Sequence, residues 1–246
     1  MLQVLHHDPH LIAIHKPAGL LVHRSNLDRH EQHFALQMLR DQIGQHVYPV
    51  HRLDKATSGV LLFALDEETA RTLGAAFARQ EVRKTYLAIV RGHPPEAGLI
   101  DHPLSRRPDE APHDSDNASN APQPAQTRFR RLAVCELPHR VDRYPASRYA
   151  LLALEPVTGR RHQLRRHLKH IAHPIIGDST FGKAAHNRLF GTLFGVRRML
   201  LASAALRLRH PVTGTPLTVT APLAEDFASI VRALGWAQAL STTDYH

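Results

Sequence analysis

Asp54 is the residue in this chain best placed to do chemistry. It sits in His51-Arg52-Leu53-Asp54-Lys55-Ala56-Thr57-Ser58-Gly59, one carboxylate between a basic pair and a Thr-Ser-Gly turn. The apolar run Val60-Leu61-Leu62-Phe63-Ala64-Leu65 follows at once. Short, continuous and bounded by a turn signal, that run predicts a buried strand. Asp54 would then ride on a tight loop anchored to the core, which is where a reactive carboxylate can be held still. The plain alternative is a turn aspartate that accepts bonds from nearby backbone N–H groups. The segment by itself leaves both readings open.

A second chemical feature is the stretch GRRHQLRRHLKHIAH over 159–173. Leu164, Leu168 and Ile171 fall at i, i+4 and i+7, which predicts a helix with one core-facing stripe, ended by Pro174. Its other faces carry Arg160, Arg161, Arg165, Arg166 and Lys169, and no Asp or Glu lies between Glu155 and Asp178. A solvated helix face normally mixes charge signs to gain i,i+4 pairs. This one needs either an outside anion, such as phosphate, or a carboxylate from elsewhere in the fold. His162, His167, His170 and His173 share helical spacing, but Arg and Lys crowd every turn and no carboxylate or cysteine stands close by in sequence. No metal is expected there.

Around these two features the pattern predicts strands at 3–5 and 11–14, joined by a turn at Asp8-Pro9, with Lys16-Pro17-Ala18-Gly19 turning the chain after the second. Helices are predicted over 34–43, 67–79 and 226–234. Residues 84–90 alternate as a strand with Tyr86, Ala88 and Val90 on one face. Further strands are expected at 127–134, 149–154, 201–208 and 217–220. Strands outnumber helices and several pairs have short connections, which argues an α+β (mixed) domain with a largely antiparallel sheet. Residues 105–126 hold no Val, Ile, Leu, Met or aromatic residue and cannot offset ordering entropy by burial. They are expected to form a flexible surface loop within one domain spanning 1–246.

The totals narrow the class of function. The chain has 246 residues, 43% hydrophobic and 22% charged, enough for a sizeable core. No apolar run approaches the roughly 18 residues of a membrane span, and the N-terminus lacks a signal-peptide layout. Cys135 is the single cysteine, so no internal disulfide is possible, in keeping with a reducing cytoplasm. The net charge is +9; residues 105–126 account for −2, so the remainder carries +11. Such a field attracts polyanions, nucleic acid first among them.

Three pieces align: HRLDxxTSG around Asp54, Arg83-Lys84-Thr85-Tyr86 on a strand, and TGRRHQLRRHLKHIAHPIIGD over 158–178. With Lys16-Pro17-Ala18-Gly19 they resemble the RluA-type pseudouridine synthases, over most of the chain. Val22-His23-Arg24-Ser25, residues 40–47, Tyr144-Pro145, Arg148-Tyr149 and His186-Asn187-Arg188 are similar to the TruC subfamily, which acts on uridine 65 of tRNA. Leu201-Ala202 stands where the family usually has a His-Ala pair, a position expected to be structural.

The resemblance implies a single pseudouridine-synthase-like domain, with helices and loops flanking the sheet, an active-site cleft across it and no S4-type domain ahead of it. It also implies an isomerase that breaks the N1–C1′ bond of a flipped uridine and rejoins the base through C5, with no cofactor. Asp54 would be the reactive carboxylate, kept ionised in a water-poor pocket by its partner Arg165. Tyr86 would lie beneath the base and could assist C5 deprotonation, and Arg52 would enter the vacated stack. His51, Lys84, Arg160, Arg161, Arg166 and Lys169 complete the expected RNA contacts. The expected partner is tRNA, met by a cytoplasmic monomer with no membrane and no obligatory protein partner. Rival readings are a ribosomal RNA synthase of the same family and a non-catalytic RNA-binding or remodelling protein. A kinase-like use of His51-Arg52-Leu53-Asp54 lacks its GxGxxG and DFG companions.

Overall fold

The computed structural model describes residues 1–23, 31–105 and 121–241. Most of the predicted loop over 105–126 therefore lies outside the described residues, as do Arg24 and Ser25. The loop's edges are more ordered than their composition suggests. Leu104 and Gln123 exchange backbone hydrogen bonds, Ala125 is buried, and Gln126 already opens a strand.

Among the described residues ten strands form one sheet. In chain order they are β1 (Gln3–His7), β2 (Leu11–Lys16), β3 (Tyr48–Pro49), β4 (Ser58–Ala64), β5 (Arg83–Arg91), β6 (Ala97–Asp101), β7 (Gln126–Leu137), β8 (Ser147–Pro156), β9 (Leu201–Arg209) and β10 (Pro216–Thr220). The order across the sheet is β1-β2-β4-β9-β5-β8-β7-β6, with β10 on β9 and β3 on β4. Every pairing is antiparallel except β4 with β9, a parallel seam of two residue pairs, Ser58–Ala202 and Gly59–Ser203. Gly59 is required at this seam. Its φ is +108°, and a Cβ there would stand 2.0 Å from the carbonyl oxygen of Ser203.

Among the described residues there are six helices: α1 (Ala35–Ile43), α2 (Glu67–Ala78), α3 (Gln163–His170), α4 (Ala184–Phe194), α5 (Glu225–Ala233) and α6 (Ala237–Ser241). Asp66 caps α2 by accepting the Thr69 N–H. The sheet is covered on both faces. Ile12, Ile14, Leu61, Phe63, Tyr86, Ala88 and Leu152 pack with Leu39 of α1 and with Leu164 and Leu168 of α3. Alternate residues face the other way. Leu11, Val60 and Leu62 meet Leu73 and Phe77 of α2, while Ile89 and Leu151 meet Phe190 of α4 and Ile230 of α5. Burial on both faces is why β4 reads as an unbroken apolar run rather than an alternation. Among the described residues no helix is long and apolar enough to cross a membrane.

The basic helix is shorter than its apolar spacing predicts. His162 is in the left-handed region (φ 54°) and so is Ala172 (φ 63°), which confines α3 to 163–170. Arg160 and Arg161 consequently sit on the approach to the helix, not on it.

Candidate active site

The loop between β3 and β4 is pinned from below. The Thr57 N–H donates to the Asp54 carbonyl at 3.0 Å, closing the turn, and the Gly19 N–H donates to the Lys55 carbonyl at 2.8 Å. Lys16 is fully buried, and its Nζ donates to the carbonyls of Pro17, Leu20 and Lys55 at 2.8, 2.7 and 3.1 Å. Burial pushes Lys16 down to about 7; the charge of Asp54 opposes that fall and Arg198 adds to it. A lysine that reads in sequence as part of a turn is therefore the brace under the carboxylate loop.

Asp54 itself is half-buried, its side chain 20% exposed. Arg165 Nη1 donates to one of its oxygens at 3.3 Å, and His162 Nε2 lies 3.8 Å from the other. Arg165 comes from the first turn of α3 and is fixed from behind by Asp178, whose carboxylate takes Nε at 2.7 Å and Nη2 at 2.9 Å. The Asp178 Oδ1 also accepts the N–H groups of Thr180 and Phe181, each at 2.9 Å. Burial works against charge on both partners. The Arg165 bonds and the Phe181 N–H nevertheless hold Asp178 below its ordinary value, and the Asp178 bonds raise Arg165. Phe181 lies under the Arg165 guanidinium, 5.0 Å from it. The basic stretch thus finds the carboxylates it lacked locally in Asp54 and Asp178.

Gln163 anchors the start of α3. Its Oε1 accepts the Thr158 hydroxyl and the Arg160 N–H, and its Nε2 donates to the Gln126 carbonyl and the Thr127 hydroxyl. This ties the helix to β7 and sets the depth at which Arg165 meets Asp54.

Asp54, Tyr86, Arg165, Arg52, His51, Lys84, Arg160 and Arg161 all line one cleft of about 500 Å³, together with Phe77, His162 and Leu201. Tyr86 is buried on the cleft side of β5, and burial pushes its hydroxyl well above its ordinary value. Leu201 packs in the core and also borders the cleft. Arg52 is exposed at the rim. Lys84 is half-buried, and burial lowers it.

His51 departs from its expected part as an RNA contact. Its Nε2 accepts the Leu62 N–H at 3.0 Å and its ring stacks on Phe77 at 4.8 Å. Burial, with the charge of Lys84, pushes it down to about 3. The ring is a neutral prop between loop and strand. Arg166 and Lys169 do not line the cleft. Arg166 donates to the Ser105 carbonyl beside a smaller notch it shares with Arg160 and Arg161, and Lys169 reaches over Phe181 at 5.8 Å. The four histidines of the basic stretch face different ways. His167 bonds Thr127 and the His102 carbonyl, His170 stacks on His102, His173 bonds the Arg91 carbonyl, and His162 faces Asp54.

Residues 10–170 match the family model described as RNA pseudouridylate synthase. A protein of Yersinia pestis named tRNA pseudouridine synthase C is 48% identical over 236 residues, covering 96% of this chain and 92% of its own length. A Vibrio cholerae protein of the same name is 46% identical over 98% of both chains. A Pectobacterium carotovorum protein of that name is 49% identical, and there the match spans 63% of the relative's length. Among solved structures, Human RNA Pseudouridylate Synthase Domain Containing 4 superposes with a TM-score of 0.70 at 28% identity, covering 95% of this chain and 93% of that one.

Proposed function

The chain belongs to the RNA pseudouridylate synthase family, and on that premise we propose that it isomerises uridine 65 of tRNA to pseudouridine. The observation that carries the reading is the Asp54 carboxylate, bonded by Arg165, in a cleft also lined by Tyr86. A cleft of about 500 Å³ is of the size that encloses a small ligand, here one everted nucleoside. A base so held is stacked rather than read, with Tyr86 supplying a flat apolar surface worth about 1–3 kcal/mol. Asp54 acts on the ribose, at C1′ as a nucleophile or on a sugar proton as a base, and the bond from the Arg165 guanidinium holds its carboxylate in place for either role. Arg52 fills the gap left in the stack. Arg160, Arg161, Arg166, Lys84 and Lys169 supply the cationic surface along which the RNA backbone lies. Nothing in the isomerisation is oxidised, reduced or hydrolysed, so the residues suffice without a cofactor. The tRNA position rests on the similarity to proteins named tRNA pseudouridine synthase C, and we place the activity in a cytoplasmic monomer.

Asp54→Asn tests the assignment. The variant should bind tRNA as tightly as the intact protein yet form no pseudouridine by nucleoside mass spectrometry. Residual product at the normal level removes Asp54 from the chemistry, and product found only in ribosomal RNA moves the substrate.

A further inference from the structure

The basic residues already placed along the RNA, Arg160, Arg161 and Arg166, share the notch beside the cleft. A second basic surface lies elsewhere. It is a groove of about 550 Å³ between α4 and residues 196–198, which lead toward β9. Its walls carry Arg188, Arg197 and Arg198 with Ser179, Asn187 and Thr192, and no Asp or Glu among the described residues.

The three arginines are not equivalent. The Nε and Nη2 of Arg198 donate to the Asp226 carboxylate at 2.7 and 2.8 Å, and its Nη1 donates to the Ser58 hydroxyl at 3.1 Å. Arg188 and Arg197 are exposed, and neither has a hydrogen bond or ion pair with any described residue. Two unpaired guanidinium groups on walls without a carboxylate leave the groove with uncompensated positive charge, which attracts anions. Their forked donors match the oxygens of a phosphate, and the Ser179 and Thr192 hydroxyls can donate beside them.

The groove is continuous with the reactive loop. Ser179, Arg197 and Arg198 also line a hollow of about 850 Å³ whose further wall holds Lys55 and Ala56, next in sequence to Asp54. The carboxylates of that hollow are engaged, Asp226 by Arg198 and Glu225 by Arg232. Two tethers fix the groove against the site. The Asn187 side chain accepts the Gly177 N–H at 2.8 Å and donates to the Asp178 carbonyl at 3.0 Å, which bolts α4 to the residue that holds Arg165. Gly177 itself runs so close to the other wall that a Cβ there would stand 1.9 Å from the Arg198 carbonyl oxygen. A phosphate gripped by Arg188 is therefore held in fixed register with Asp54.

Resting on the reading above, we propose that this groove binds backbone phosphates of the substrate RNA on one flank of the everted uridine, with Arg188 and Arg197 as the contacts. A polynucleotide can reach both arginines while its next nucleotides cross the hollow to the cleft; a free phosphate cannot. Each arginine that neutralises one phosphate adds about 0.7–0.9 to the slope of log affinity against log salt. Arg188→Gln combined with Arg197→Gln should therefore lower that slope for tRNA by about 1.4–1.8. Both side chains are exposed and unpaired, so the substitutions leave the folding contacts intact. With enzyme in excess and tRNA saturated, the single-turnover rate should stay that of the intact protein. Arg71→Gln combined with Arg209→Gln is the control. It removes the same charge from exposed positions that line neither the cleft nor the groove and should barely change the slope. An unchanged slope in the groove variant, or an equal fall in the control, overturns the proposal. Binding is read without turnover. A chain that shows the expected slopes yet forms no pseudouridine would defeat the assigned activity and leave the groove standing.

Discussion

Replacing Asp178 with asparagine should cost far more than a side chain outside the cleft would suggest. Its carboxylate accepts four N–H groups, two from Arg165 and two from the backbone of Thr180 and Phe181. Its side chain has no solvent exposure, and that of Arg165 has 9%. An asparagine can keep its oxygen where Oδ1 was and retain the backbone bonds. Its NH2 then replaces Oδ2 and meets Arg165 Nε, donor against donor. Arg165 is left buried with Asp54 as its remaining carboxylate. Breaking a buried ion pair by removing one partner costs about 3–5 kcal/mol, which for a chain of this size lowers Tm by on the order of 10 °C. Because Asp178 is held below its ordinary value, the unfolded chain takes up its proton first as pH falls. The pair therefore contributes in full above the ordinary carboxylate value and is lost as pH drops through the folded one. Urea unfolding of Asp178→Asn at neutral and acid pH measures both effects. Combining Asp178→Asn with Arg165→Met should cost less than the two single changes added together, by about 1 kcal/mol or more. A loss under about 1 kcal/mol in the single variant, or strict additivity in the double, would show that Asp178 does not hold Arg165 in place.

Arg52→Ala should lower turnover on intact tRNA by on the order of 10²-fold, since opening a paired stack costs a few kcal/mol, and should spare an oligonucleotide whose uridine is already unpaired. Equal losses on the two substrates would remove Arg52 from base flipping. His51→Phe removes the acceptor for the Leu62 N–H and should destabilise the protein by about 1–3 kcal/mol at neutral pH. With its folded value near 3 and an unfolded one near 6.5, His51 makes the intact protein lose stability as pH falls between those limits, because the unfolded chain binds the proton first. The variant's stability should therefore vary less with pH in that window, by up to about 1.4 kcal/mol per pH unit. An unchanged slope in a urea-by-pH series would show that the ring is already charged when folded.

The strands and helices with strong periodicity were legible because burial imposed it. Val60 to Ala64 had to be a strand covered on both faces, and Leu164 and Leu168 had to face a core. The 3.6 period over 159–173 overstated the helix, since it cannot register that His162 and Ala172 leave the right-handed region. Residues 184–194 form α4, where no helix was anticipated, and β6 is too exposed to carry an alternating signal. Within the site, Asp54, Tyr86 and Arg165 were visible through their motifs. The absence of acids between Glu155 and Asp178 was a sound hint of a distant carboxylate, although it could not say which. Lys16 was hidden because a lysine in a turn segment ordinarily reads as solvated; only the three converging carbonyls reveal a buried cation. His162 passed for one of four helical histidines until the backbone turned it toward Asp54.

The two-pair seam between β4 and β9 has a bearing on how this enzyme tolerates change. Asp54 hangs from β4 and Tyr86 belongs to β5, and β9 runs between those strands. The aspartate and the aromatic ring are therefore aligned through a third strand, which carries small side chains, Ala202 to Ala205, at the crossing. A bulkier residue there would spread the two halves of the sheet and shift one reacting partner relative to the other. Mutational sensitivity at β9 would then appear as lost turnover from positions that touch no RNA.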